Sequence, residues 1–145
     1  MPPLSVHRST LSLFVLSQLA CAGAPPSPAL PFLGRWRASS FRSDVPRQCH
    51  DMVLEFLASG AMVSRSGDQV LTAHFVTRVS DSGFILTISN MQSNGRPNCQ
   101  GLSADFVLSH QVPQMYTEVS GDTLRYGDGP DMLVALTLCP SCNAA

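Results

Sequence analysis

The chain has 145 residues, and its nine Lys and Arg nearly balance its ten Asp and Glu, which leaves a formal net charge of −1. This near-neutral balance gives a nucleic-acid partner no electrostatic support, so we exclude that class of function. The length is sufficient for one small domain after removal of a leader.

The N-terminal region has the pattern of a secretory signal peptide. Arg8 precedes an apolar run, LSLFVLSQLACA, that is too short to cross a membrane as a helix. The small residues Ala20 and Ala22 then fit a cleavage site. We predict a signal peptide over residues 1–22, and therefore a secreted or periplasmic protein. In the alternative, Cys21 is acylated and the protein is a membrane-anchored lipoprotein.

A Pro/Ala-rich linker is predicted over residues 23–32, followed by a single β domain over residues 33–145. The first strand of this domain, residues 34–39, contains Gly34-x-Trp36. This motif resembles the glycine-x-tryptophan signature of lipocalins and other calycins. The resemblance implies an up-and-down barrel in which Gly34 and Trp36 form a structural plug at one end. It also implies that an arginine packs across the tryptophan, and Arg125 is the candidate.

Alternation of apolar and polar residues predicts the remaining strands. They are residues 52–58, 69–79, 84–91, 102–110, 114–119, 123–126 and 132–138. Turn signals such as Asn94-Gly95 separate the strands and suit tight hairpins. This pattern predicts an all-β fold, a small antiparallel barrel of about eight short strands, with a β-sandwich as the alternative. Phe56, Phe75, Phe84 and Phe106 are expected to fill its interior.

Four cysteines remain if Cys21 is removed or acylated, and an even number in a small exported domain indicates disulfides. They are Cys49, Cys99, Cys139 and Cys142. Three pairings are possible. Either Cys49 bonds to Cys99 and the terminal two bond together, or the terminal two bond separately to Cys49 and Cys99, in either order. We slightly favour the first. Because the terminal pair precedes no helix and the spacing is not a usual zinc pattern, we expect no redox site, metal or cofactor.

The histidines do not form a recognisable catalytic pattern. His50 precedes Asp51 and His110 follows Ser109, but neighbours in a strand point to opposite faces. The sequence also contains no nucleophile elbow or metal-ligand helix motif. We therefore predict that the protein is not an enzyme. The alternative is a hydrolase-like enzyme that uses His50 or His110.

The loop at residues 93–101 is the predicted binding loop, because it offers polar side chains between turn-forming residues on a rigid scaffold. Its candidate contact residues are Arg96, Asn98 and Gln100. We predict an exported binding protein of the cell envelope whose partner is a protein or a small apolar ligand. A periplasmic inhibitor or immunity-type protein is the alternative. Contact with the membrane is expected only through Cys21.

Overall fold

Eight antiparallel strands form a closed barrel, in which each strand pairs with the next and the last strand returns to the first. The computed structural model describes residues 29–39, 45–129 and 134–142. The strands are β1 (Gly34–Ala38), β2 (Val53–Phe56), β3 (Ala61–Ser66), β4 (Gln69–Val79), β5 (Phe84–Ser93), β6 (Gln114–Ser120), β7 (Thr123–Gly127) and β8 (Val134–Leu138). A 3₁₀ turn (Arg47–Cys49) precedes β2, and one helix, α1 (Ala104–Ser109), lies between β5 and β6. The predicted all-β barrel is confirmed, and the sandwich alternative is wrong.

The predicted leader lies outside the described residues. The signal peptide over residues 1–22, Cys21 and residues 23–28 of the linker belong to this part of the chain. The described barrel begins to pack before β1. Phe32, the last residue of the predicted linker, is fully buried in the core.

The segment at residues 102–110 is not a strand, as its alternation predicted, but mostly the helix α1. The Oγ of Ser103 accepts a hydrogen bond from the backbone N–H of Phe106 at 3.2 Å, which caps the first turn. Asp105 lies in that first turn, where a negative charge is favourable. Phe106, which we expected inside the barrel, is 46% exposed on this helix. The local capping signal therefore outweighed the alternating pattern.

Strand β3 was not predicted. Its inward side includes Ser64, which pairs with Leu71 of β4, so the strand lacks a continuous apolar face. Hydrogen bonds to β2 and β4 on its two sides hold it in the sheet. The position of β3 thus depends on its neighbours more than on its own apolar content.

Aromatic side chains fill one end of the barrel, which we call the closed end. The ring of Phe32 meets Phe56, Phe75 and Phe84 edge to face, at centroid distances of 5.4, 5.8 and 5.3 Å. Trp36 is 1% exposed, and its indole Nε1–H donates to the carbonyl of Phe32 at 2.8 Å. Burial of each phenylalanine is worth about 1.5–3 kcal/mol, so this cluster is a main source of stability.

Arg125 does not occupy the position that the lipocalin resemblance implied for it. It lies on β7, opposite Glu118 of β6, and its side chain is exposed. The neighbouring residue Leu124 is the one that faces the core. The carbonyl of Phe32 is therefore the polar contact of the buried tryptophan.

Two disulfides fix the connections at the two ends of the barrel. Cys49 is bonded to Cys99, and Cys139 to Cys142, which is the pairing that we favoured from the sequence. The terminal disulfide lies at the closed end, where the guanidinium of Arg35 donates to the carbonyl of Cys142 and forms an ion pair with Glu55. The other disulfide lies at the opposite end, which we call the mouth.

Candidate functional site

The mouth contains a cavity of about 180 Å³, which we call the mouth cavity. Strands supply most of its wall, through Met62, Leu71, Ile88, Met91, Met115 and Tyr126. Residues 107 and 110–112 supply the remainder from the connection above it. Among the described residues that line it, none is Asp, Glu, Lys or Arg. The site is therefore suited to an uncharged or apolar group.

A bulge in β5 turns Met91 into the mouth cavity. Asn90 and Met91 of β5 lie opposite the single residue Ala73 of β4. Asn90 has φ of 52°, a left-handed conformation that Asn adopts more readily than most residues. The extra residue reverses the alternation of β5, so that Ile88 faces inward before the bulge and Met91 after it. Without the bulge, Met91 would face solvent.

Side-chain volume explains why the barrel is filled at one end and not at the other. Ala73 pairs with Met62 and is buried, but its side chain is a single methyl group. The aromatic rings of Phe56 and Phe75 lie toward the closed end instead. Methionine adapts to irregular space, since its unbranched chain has three rotatable bonds. The interior near the mouth is thus both less filled and more adaptable than the closed end.

The β5–β6 connection, residues 94–113, covers part of the mouth. Cys99 anchors it through the disulfide to Cys49, and the Oγ of Ser66 lies 2.9 Å from the Sγ of Cys99. Val107 of α1 lines the mouth cavity from above. This connection, which we call the cover, is therefore held by a covalent bond to the segment that precedes β2.

The predicted binding loop lies in this cover, and its residues have different environments. The Oδ1 of Asn98 accepts from the backbone N–H groups of Gln100 and Leu102, at 3.0 and 2.9 Å, so its side chain shapes the loop. The carbonyl of Arg96 accepts from Nε2 of the buried Gln69 at 3.0 Å. The side chains of Arg96 and Gln100 are exposed. None of the three predicted contact residues lines the mouth cavity.

Sequence reasoning missed the residues that do line the mouth cavity. Met91 and Met115 read as ordinary strand residues, and Val107 was assigned to a strand. The bulge at Asn90 has no clear sequence signal, because Asn also occurs in turns and on exposed strand faces. The cavity is a property of the assembled barrel and not of any one segment.

Burial raises the pKa of the Tyr126 phenol above its ordinary value. The phenol is uncharged near neutral pH in any case, and burial extends this neutral form to higher pH. It contributes a neutral polar group to a cavity wall that is otherwise mainly apolar.

Ser109 and His110 are in contact, contrary to the argument that placed them on opposite faces of a strand. Because the segment is helical, the Oγ of Ser109 lies 3.0 Å from Nδ1 of His110. However, that Nδ1 also lies 2.8 Å from the carbonyl of Phe106, which accepts from the Oγ of Ser109 as well. A carbonyl only accepts, so Nδ1 carries the proton and is not available as a base toward the serine.

A wider cleft of about 510 Å³ lies on the outer surface beside the β3–β4 hairpin. Val53 and Val70 form its apolar part, whereas Arg65, Asp51 and Asp68 contribute charges. Asp51 and Asp68 are exposed there, so an apolar ligand would have to displace water from charged groups, which makes the cleft less suitable for it than the mouth cavity.

Within residues 29–39, 45–129 and 134–142, no group of three or more His, Cys, Asp or Glu side chains is placed to hold a metal ion. A helix with the length and apolar character needed to cross a membrane is also absent from these ranges. Comparison of the chain with protein-family models, with curated proteins and with solved structures gave no match.

Proposed function

We propose that this protein is a non-catalytic binding protein that holds a small apolar ligand in the mouth of its barrel. The observation that carries the proposal is the mouth cavity, whose described lining is mainly apolar and contains no Asp, Glu, Lys or Arg. The general architecture of a closed antiparallel barrel is consistent with a lipocalin-like mode of binding. In this mode the interior takes the ligand and the loops at one end control access.

The size of the cavity limits the ligand. Its volume of about 180 Å³ is below the range of about 300–1,000 Å³ that is typical of pockets for drug-sized molecules. A dry cavity of about 150 Å³ is sufficient for a benzene molecule. We therefore propose a ligand with a single ring or a short branched chain, or the apolar end of a longer molecule.

Two features support an exported location. The two disulfides fit a non-cytoplasmic compartment, since cytosolic thiols are kept reduced. The N-terminal sequence has the order of features expected of a signal peptide. We propose that the signal peptide is removed or that Cys21 is acylated, and mass spectrometry of the mature N-terminus distinguishes these outcomes.

The other expected functions have less support. Among the described residues, the large apolar side chains that are exposed lie on separate parts of the chain: Leu57 after β2, Val76 and Val79 on β4, Phe106 on α1 and Val112 before β6. This arrangement gives a protein partner or an inhibitor function no single apolar surface to use. A hydrolase that uses Ser109 would need the adjacent Nδ1 of His110 as its base, but this nitrogen already donates to the carbonyl of Phe106.

Methionine methyl groups provide a direct test of the proposal. Met62, Met91 and Met115 line the mouth cavity, whereas Met52 packs elsewhere against the core. In protein labelled with ¹³C at its methionine methyl groups, toluene should cause saturable NMR shifts at the three cavity residues. The signal of Met52 is the internal control. Equal shifts at Met52, or no saturable shift at any methionine, would argue against the mouth cavity as the site.

A pair of matched variants strengthens the test. Val107→Trp adds an indole from the cover side of the cavity and should abolish the toluene shifts. Val76→Trp adds the same group at a position that is 70% exposed on β4 and should leave the shifts unchanged. If Val107→Trp binds toluene as wild type does, the ligand does not enter this cavity.

A further inference from the structure

Three methionines and one histidine line the mouth cavity together. They are Met62 on β3, Met91 on β5, Met115 on β6 and the exposed His110 after α1. Packing alone does not require this combination, because leucine would fill the same positions with better-defined rotamers. Thioether sulfur and imidazole nitrogen are soft or borderline ligands, a class that selects copper(I) among biological metals.

The hydrogen bonds of His110 leave a metal-binding nitrogen in the correct protonation state. Its Nδ1 lies 2.8 Å from the carbonyl oxygen of Phe106, so in the neutral ring Nδ1 carries the hydrogen and the lone pair is on Nε2. A hydrogen bond from one ring nitrogen to a backbone carbonyl is the usual way in which proteins orient a metal-binding histidine. The Phe106 ring, stacked on the imidazole at 4.1 Å, further restrains its orientation.

The charge and hardness of the remaining wall favour a soft monovalent ion over a divalent one. Within the described part of the chain, no carboxylate lines the mouth cavity. Calcium and magnesium require several oxygen ligands, and the cavity does not offer them. A monovalent ion also loses less hydration free energy than a divalent ion on entering an apolar site.

We propose that the mouth of the barrel binds copper(I) through the thioethers of Met62, Met91 and Met115 and through Nε2 of His110. This inference shares the mouth cavity with the proposed function but does not depend on an apolar ligand. The site adds a second ligand class, a soft metal ion held by uncharged ligands. The bulge at Asn90 is essential to it, since the bulge brings the side chain of Met91 to the inward face of β5.

Silver(I) is the probe, because it has the same ligand preference as copper(I) and does not change oxidation state under these conditions. The full-length mature protein, with both disulfides intact, is titrated with silver nitrate in chloride-free buffer. Two NMR signals are followed: the ¹³C methyl groups of methionine and the ¹⁵N resonances of histidine. We expect saturable shifts at Met62, Met91 and Met115 and at Nε2 of His110, with no shift at Met52.

Conservative variants then distinguish the loss of a metal ligand from a loss of folded structure. Met91→Leu with Met115→Leu conserves apolar volume, and His110→Phe conserves the ring, so the barrel should remain folded. Each should weaken silver binding at least about tenfold, because even supporting residues around metal sites cost 10–100-fold when replaced. Met52→Leu is the matched control and should bind silver as wild type does.

Several results would overturn the proposal. They are the absence of a methionine shift with silver, shifts that include Met52 to the same extent, and unchanged affinity in Met91→Leu with Met115→Leu or in His110→Phe. Parallel titrations with toluene distinguish this failure from that of the apolar-ligand proposal. Toluene shifts without silver shifts overturn the metal site alone, and silver shifts without toluene shifts overturn the apolar ligand alone.

Discussion

Removal of the Cys49–Cys99 disulfide should cost about twice the stability lost with the Cys139–Cys142 disulfide. The first closes a loop with a sequence separation of 50, and the second a loop with a separation of 3. In the chain-entropy model, these loops correspond to about 4 and about 2 kcal/mol of stabilisation, respectively. A domain of this size has a net stability of about 5–15 kcal/mol, so loss of the first disulfide removes a large share.

Two double variants measure these effects without leaving an unpaired thiol. They are Cys49→Ala with Cys99→Ala, and Cys139→Ala with Cys142→Ala. Urea unfolding, followed by the fluorescence of the single buried tryptophan, Trp36, gives the free energy of unfolding by linear extrapolation. Full reduction of the wild type should lower the midpoint further than either variant does.

Equal losses in the two variants, or a larger loss in the terminal one, would refute this reasoning. Such a result would mean that the terminal disulfide acts through the native contacts of Arg35, which donates to the Cys142 carbonyl, and not through loop closure. Hydrogen exchange adds an independent readout. The Cys49→Ala with Cys99→Ala variant should exchange faster over the cover, residues 94–113, while β4 keeps its protection.

Three further predictions concern the core, one hairpin and the buried phenol. Phe32→Ala should lower the free energy of unfolding by about 3–5 kcal/mol in urea titrations, because the ring is fully buried among other aromatic rings. Gly83→Ala should lower the free energy of unfolding by about 2 kcal/mol or more, since a Cβ there clashes with the backbone carbonyl of Thr117. Gly129→Ala is the control: its Cβ meets no atom, so its stability should stay within about 0.5 kcal/mol of wild type. Above pH 10, the Tyr126 phenol ionises in the unfolded chain but stays protonated in the folded chain. The free energy of unfolding should therefore fall as pH rises. Tyr126→Phe should reduce this slope in unfolding experiments between pH 9 and about 11.

The sequence was most informative for strands in which one face is apolar and buried and the other face is exposed to solvent. In β4, Ala73 and Phe75 face the core and His74 and Val76 face solvent, so alternation predicted its bounds, Gln69–Val79, correctly. Regular hairpins between such strands then favoured an antiparallel barrel. These features are local, and local patterns are what a single sequence contains.

Prediction failed where tertiary context or a competing local signal decided the outcome. In residues 102–110, alternation suggested a strand, but the Ser103 cap and the connection anchored by Cys99 gave a helix. Phe32 looked like the end of a linker, and only the assembled barrel provides the aromatic partners that bury it. The mouth cavity depends on an extra residue at Asn90, which shifts the inward positions of β5 and has no counterpart in composition.

Closure of the barrel by β1 and β8 has a consequence for how the protein is made. Trp36 of β1 pairs with Leu138 of β8, about a hundred residues later in the chain. All the remaining strand pairs join strands that are neighbours in sequence. Until β8 has been synthesised, β1 and β7 present unpaired edges to other chains. A nascent chain held unfolded until its synthesis is complete would avoid this exposure, and a truncation before β8 would be prone to aggregate.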